Sequence, residues 1–461
     1  PPPLPPRSPP LMPRLRRFGP ILALAGPLAL TNLGNHLLGV VDSAVVGRFS
    51  EASLAGVGLG GAIFFGVAVI GFGAMIGLDP LISQAVGAGE RGLARQILWQ
   101  GLWLALVFTL PLGLLMLSAL EGLEALGVEA ATGQETSGYV YARLASLPFF
   151  LWLVGTRGYL QAHDTTRPLV LGVVFAHALN LPLSCLLVFG DRALLAIGLP
   201  ALGLAPMGAA GAGWATAIST IVQLGVAAAA LPAVEPGLRF SRRLERALLR
   251  RILAVGLPVG GTLFAEVGIF MGIGVLAVLF GTRALAAHHV ALSLAATAFQ
   301  VPLAIGAAAS VRVGHAIGRG QSEAARRSGL TALSLASLFM FCTALLFVLW
   351  PRALSALITS EASVIALAAP LMLVAAAFQL VDGLQVVAAG ALRGAGDTRY
   401  ALGANLVGHY LIGLPLGAAL AWPLGMGVAG LWWGLSAGLT AVAIALVRRF
   451  LQVSSRPIAR V

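Results

Sequence analysis

The chain has 461 residues, of which 58% are hydrophobic and only 10% charged, where a soluble domain carries about 25% charged residues. A mean hydropathy of +0.93 over that length excludes a soluble globular protein. The formal charge of +12 and the pI of about 11.2 would point to nucleic acid in a soluble chain. Here the arginines gather between apolar segments, so they are read as orienting a membrane protein, and no nucleic-acid partner is expected.

The first residues, PPPLPPRSPPLMPRLRR, are proline-rich and basic, and residues 1–17 read as a disordered cytoplasmic tail. They lack a short apolar core followed by a small-residue cleavage site, so no cleaved signal peptide is expected. Met12 is a candidate natural start, and the first apolar segment would serve as an uncleaved start signal.

Twelve apolar segments follow, over 18–47, 54–79, 95–119, 137–162, 168–189, 208–232, 252–280, 285–311, 328–350, 363–391, 400–422 and 427–450. Each is about the ~20 residues that a spanning helix needs, rather than the ~10-residue alternating strands of a barrel. The fold class is therefore an all-α membrane protein of twelve transmembrane helices. With the N-terminus inside, inner loops hold the clusters Arg14, Arg16 and Arg17, Arg242 to Arg251, Arg326 and Arg327, and Arg448 and Arg449. Outer loops hold only Arg48, Arg192, Arg283 and Arg352. That asymmetry places both termini in the cytoplasm.

Two six-helix repeat halves are expected. Shifted by 231 residues, Ala85, Gly87, Gly89, Ala94 and Arg95 fall on Ala316, Gly318, Gly320, Ala325 and Arg326. DTTRPL at 164–169 meets DTRYAL at 397–402, LPL at 181–183 meets LPL at 414–416, and GAAGAGW at 208–214 meets GVAGLWW at 427–433. The divisions are a tail over 1–17, an N-terminal half over 18–232, a basic cytoplasmic linker over 233–251, a C-terminal half over 252–450 and a tail over 451–461. Within the linker, SRRLERALLRR reads either as a short amphipathic helix on the inner leaflet or as a solvated basic connection. Glycine at 58 positions suits close helix packing. Pro27, Pro182, Pro258, Pro302 and Pro415 lie within spans, where they permit bends.

Thirteen of the 17 acids fall in loops or near the bilayer edge. Asp79, before Pro80 at the inner end of the second segment, reads as a cap or the partner of a nearby arginine. Asp42, Glu266 and Asp382 remain, each within an apolar span, where a carboxylate costs on the order of 3 kcal/mol and has to be offset by a partner, water or function. Asp42 shares a polar stripe with Asn32 and Asn35, which should face a protein interior or water cavity. Glu266 has Thr262 one turn before it, and Asp382 is flanked by Gln379 and Gln385. Three acids on helices from both halves suit a cavity that binds cations or exchanges protons. The plainer reading makes each a structural hydrogen bond or an ion pair with Arg143 or Arg157. Asn180 and Ser184, one turn apart, either line the cavity or bond neighbouring helices. His177, His289 and His409 read as structural. Cys185 and Cys342 lie far apart in apolar segments, so neither a disulfide nor a cysteine metal site is expected. No GxxxxGK[ST], HExxH or CxxC is present, and GVGLGG at 56–61 sits in a span, so no enzyme, catalytic residue or cofactor is expected.

At these motifs the chain resembles the multidrug and toxic compound extrusion (MATE) family over nearly its whole length after the tail. The resemblance rests on VDSAVVGRFSEASLAGVGLG, QAVGAGE, NLPLSCLLVFG with GAAGAGWATAIS, FAEVGIF, AAHHVAL with RVGHAIG, and VDGLQVVAAGALRGAGDTR. It is closest in pattern to the NorM-like branch, whose functional acids in helices one, seven and ten match Asp42, Glu266 and Asp382. The DinF-like branch pairs its helix-one acid with an aspartate one turn after a helix-five asparagine; here Asn180 is followed by Ser184. The resemblance implies a V-shaped, monomeric antiporter of the inner membrane. It would export organic, often cationic and amphipathic drugs or toxic compounds in exchange for sodium or protons, with any Na+ held at Glu266, Asp382 or Asp42. The alternative is a flippase for a lipid-linked saccharide from the same broader superfamily; twelve segments and three cavity acids argue against it. An intramembrane enzyme or receptor is disfavoured by the internal repeat and the missing catalytic motif.

Overall fold

A computed structural model describes residues 17–125, 127–237 and 240–461. Most of the expected N-terminal tail, with Met12, Arg7, Arg14 and Arg16, and Arg239 of the linker lie outside the described residues.

Among the described residues, twelve helices are long and apolar enough to cross a membrane. They are α1 (Gly19–Val46), α2 (Glu51–Gly87), α3 (Arg91–Glu121), α4 (Ala130–Ala162), α5 (Arg167–Phe189) and α6 (Gly208–Val234) in the first half. The second half holds α7 (Arg246–Val278), α8 (Thr282–Gly318), α9 (Ser322–Leu349), α10 (Ala362–Gly394), α11 (Thr398–Ala421) and α12 (Gly427–Ser454). Local chemistry sets the ends. The Ser50 hydroxyl accepts from the Ser53 amide at 3.0 Å and starts α2. The Glu135 carboxylate of α4 accepts from the Ala209 amide at 2.7 Å and closes the N-terminus of α6. Asp191, in the α5–α6 connection, accepts from Leu202 and Gly203, each at 2.9 Å, and these backbone donors hold its carboxyl below the ordinary range.

The halves repeat in packing as well as in sequence. α4 packs on α6 and α2 as α10 packs on α12 and α8, and α5 packs on α6 as α11 packs on α12. The seam between halves obeys the same exchange, with α2 against α7 and α8 against α1. Glycine makes the α2–α7 contact possible: a Cβ on Gly73 would stand 2.6 Å from the Gly260 amide nitrogen, inside the other helix's backbone. At one end of the bundle the two copies of the repeated motif meet each other. Gly87 lies on the His315 backbone, and Gly318, its repeat mate, lies on Gln84, the repeat mate of His315.

Among the described residues, every hydrogen bond between the halves lies from mid-membrane toward the side that carries both ends of the helical bundle. Gln84 donates to the Gly394 carbonyl at 3.0 Å, His315 Nε2 to the Ala162 carbonyl at 2.8 Å, and Arg312 pairs with Asp164 at 3.1 Å. Arg460 of the C-terminal segment grips both oxygens of Glu90, at 2.8 and 2.5 Å, and draws that carboxyl below its usual range.

Three local features differ from the sequence reading. Arg246 to Arg251 form the first turns of α7 itself, because nothing between Glu245 and Pro258 breaks a helix. The linker before them is neither a separate helix nor freely solvated: Gln96 donates to Glu245 at 2.6 Å, Gln100 to the Arg243 carbonyl at 2.7 Å, and Arg242 lies over Trp99. The α2 and α8 helices also run past their apolar cores, to Gly87 and Gly318, so each repeated motif begins on helix, and its second glycine, Gly89 or Gly320, makes the turn into the next span.

Candidate functional site

The three intramembrane acids fall into two groups, one in each half. In the first half Asp42 is 1% exposed and its Oδ2 accepts from the hydroxyl of Thr216 on α6. Thr216 in turn accepts from Asn180 Nδ2 of α5 at 3.3 Å. Asn180 and Ser184 are fully buried, and Asp42 Oδ1, Asn180 Oδ1 and Ser184 Oγ have no hydrogen-bond partner. Arg143 of α4 is the cation whose charge acts on Asp42. Asn32, one quadrant round α1, is occupied elsewhere: its Oδ1 accepts from Arg157 at 2.9 Å, and its amide donates across the seam to the Gln300 carbonyl of α8 at 3.3 Å. Asn35, in line with Asp42 two turns earlier, is exposed; no neighbouring helix closes over it as α6 closes over Asp42.

In the second half Glu266 of α7 and Asp382 of α10 lie within electrostatic reach of one another. Asp382 is 7% exposed and Glu266 is half-buried. Gln385, one turn beyond Asp382, donates to Glu266 at 3.2 Å. Gln379, one turn before it, is fully buried with neither end of its amide engaged. Two carboxylates and two glutamines, with no basic side chain among the described residues acting on them, make an oxygen-rich patch suited to a hard cation or a shared proton. Thr262 uses its hydroxyl on its own helix, donating to the Pro258 carbonyl at 2.8 Å.

The other candidates lie outside these two groups. Asp79 lies within electrostatic reach of Arg157 on α4 and Arg393 on α10, one arginine from each half. His177 Nε2 donates to the Gly34 carbonyl at 2.8 Å, His289 is exposed, and its neighbour His288 accepts from Trp432 Nε1 at 3.1 Å. His409 is buried where α11 widens to a π-helical turn over Leu406–Gly413. Both cysteines are free thiols.

Sequence reasoning missed several residues. Thr216 is one of many span threonines, and nothing in WATAIST marks it as the donor to Asp42. Tyr410 bonds the carbonyl of Ala265, next to Glu266, at 2.9 Å and so steadies that turn of α7. Glu235, read as an ordinary loop acid, is buried: Tyr159 donates to it and His163 lies 3.2 Å away.

Twelve spans in two exchanged halves, with acids buried in each, define the class of membrane transporters built from repeated helical bundles. The MatE family model matches residues 27–186 and again 258–419, once in each half and with starts 231 residues apart. The chain belongs to the MatE family. It is 35% identical over 454 residues to the probable multidrug resistance protein NorM of Bradyrhizobium diazoefficiens, covering 95% of this chain and 94% of that one. It is 36% identical over 446 residues to the protein of the same name from Mesorhizobium japonicum, covering 94% and 93%. The crystal structure of the eukaryotic MATE transporter AtDTX14 superposes with a TM-score of 0.84 at 23% identity, over 95% of this chain and 96% of that one, which is a likeness of fold.

Proposed function

We propose that this chain is a cation-coupled antiporter that exports organic, often cationic and amphipathic compounds across the inner membrane in exchange for Na+ or H+. The observation that carries the reading is the Glu266–Asp382 pair, held with Gln385 inside the second half and facing no basic partner among the described residues. Two neighbouring carboxylates repel when both are ionised, so the pair gains by taking up a cation or a proton. Asp42 in the other half is a separate acceptor for a positively charged cargo. Binding at one group then opposes binding at the other through the seam, and that coupling is reciprocal.

The relatives named as multidrug resistance proteins support the cargo class. The arginine asymmetry supports cytoplasmic termini, so the side pinned by Gln84, His315 and Arg460 is the inner side and the cargo leaves by the other. The protein works as a monomer, since each chain carries both halves of the pathway. The test is efflux of ethidium and of a norfloxacin-type drug from proteoliposomes under a sodium gradient alone and a proton gradient alone. Efflux driven by one of them is expected; efflux driven by neither, from protein that is folded and inserted, overturns the reading.

A further inference from the structure

The first-half cluster contains a charge that the second-half cluster lacks. α4 and α6 cross the membrane in the same direction, and Gly213 of α6 seats against the Tyr139 carbonyl and the Ala142 Cβ of α4. One turn further along each helix this close approach sets Arg143 level with Thr216, the donor to Asp42. The Arg143 side chain lies over the Phe64 ring of α2, with Cζ 4.2 Å from the centroid, and the residue is only 8% exposed. Among the described residues, its Nε and Nη1 have no acceptor and Asp42 Oδ1 has no donor. The repeat-related stretch of α10, Val374 to Ala376, carries no basic residue, so the cation belongs to the first half alone.

A buried guanidinium with idle N–H groups and a buried carboxylate with an idle oxygen are each costly, and each is the other's remedy. The stack on Phe64 keeps them apart without neutralising either. We propose that Arg143 is an internal counter-ion for Asp42, a specificity-determining residue that the positive group of the cargo has to displace. With no cargo, rotation of the outer side-chain bonds brings the guanidinium to Asp42 Oδ1. A bound organic cation takes that oxygen and sends Arg143 back onto Phe64. Like-charge repulsion across the cluster then keeps the cargo weakly enough held to leave. The same charge disfavours a small metal cation at Asp42, which leaves the coupling ion to Glu266 and Asp382.

This rests on the reading of the chain as an exporter of organic cations, and the experiment separates the two. Ethidium binding by fluorescence and ethidium efflux are measured in proteoliposomes for the full chain and for Arg143→Gln, Arg143→Lys, Phe64→Leu, Asp42→Asn and the Asp42→Asn/Arg143→Gln double variant. Arg143→Gln should bind ethidium roughly tenfold more tightly, a shift of about one decade in Kd, and should lower KM and kcat together. Arg143→Lys, which keeps the charge but loses the planar stack on Phe64, should bind ethidium no more tightly than wild type. Phe64→Leu, which frees the guanidinium toward Asp42, should bind ethidium several-fold more weakly. In the Asp42→Asn background, Arg143→Gln should change nothing. An unchanged Kd in Arg143→Gln, the same shift with and without Asp42, or, where Arg143→Gln does not fold, wild-type binding by Phe64→Leu overturns the role of Arg143 alone. Absence of ethidium binding by the wild type overturns the export reading and this inference with it.

Discussion

Glu266→Gln separates a structural acid from a coupling one. Among the described residues, the only hydrogen bond to the Glu266 side chain comes from Gln385 at 3.2 Å. Glutamine keeps the size and an acceptor oxygen there, and the bond weakens from charge-assisted to neutral by roughly 1 kcal/mol. Against that loss stands relief of repulsion from Asp382, the acidic neighbour on α10. For unit charges a few Å apart at an effective dielectric of about 20 that term is on the order of 1–4 kcal/mol. The two effects have opposite signs and similar size, so the variant should insert, fold and resist heat at least as well as the wild type. Its glutamine cannot take up a proton or balance a cation, and concentrative efflux should fall at least tenfold, about 1.4 kcal/mol or more in driving terms. The assay is ethidium accumulation in energised cells at matched membrane levels, with thermal unfolding of the purified protein beside it. Wild-type efflux with an unchanged response to the sodium or proton gradient would remove Glu266 from the mechanism and leave Asp42 and Asp382 to carry it. Lost efflux together with a collapsed unfolding midpoint would show instead that the carboxylate is a structural tie.

Gly260→Val should overpack the α2–α7 seam, where Gly73 and Gly260 touch through their backbones; a loss of about 1–3 kcal/mol would appear as a lower unfolding midpoint, and an unchanged midpoint contradicts the seam. Single cysteines at Glu124 and Arg242, in a background lacking Cys185 and Cys342, should react with an impermeant maleimide from opposite sides of the membrane; outside labelling of both refutes the twelve-span topology with internal termini. The Arg460–Glu90 clasp depresses the Glu90 carboxyl, so its contribution is complete above the unfolded value of 4.5 and is lost as pH falls through the lower folded value. A spin label on Pro457→Cys should therefore become more mobile in acid below that range, and mobility that is flat down to pH 3 contradicts the clasp. Arg393→Gln should loosen the end of the bundle where Asp79 lies within electrostatic reach of arginines from both halves, and should raise labelling of a cysteine at the buried neighbour Ala395 in inside-out vesicles.

The spans, their number and the repeat were legible in the sequence because each is a local or additive property, and the proposed direction rests on one more such sum. A run of apolar residues meets the bilayer's thickness wherever its neighbours end up, arginine asymmetry sums over loops, and a motif repeated 231 residues later needs no contact to be seen. The intramembrane acids stood out for the same reason, since the cost of a carboxylate in an apolar span does not depend on its partner. Which groups meet was decided by tertiary structure. Gln385 reaches Glu266 across 119 residues, Asp42 goes to Thr216 rather than to the other acids, and Asn32 spends both ends of its amide on Arg157 and on the seam. The stripe on α1 illustrates the limit: Asn35 and Asp42 share a face by periodicity, yet only Asp42 is covered. A soluble helix announces its buried face by the contrast between apolar and polar sides. A membrane helix is apolar on every side, so its sequence carries little record of which face meets protein and which meets lipid. That choice falls to close packing at positions such as Gly73, Gly213 and Gly260, where small residues let two helices approach.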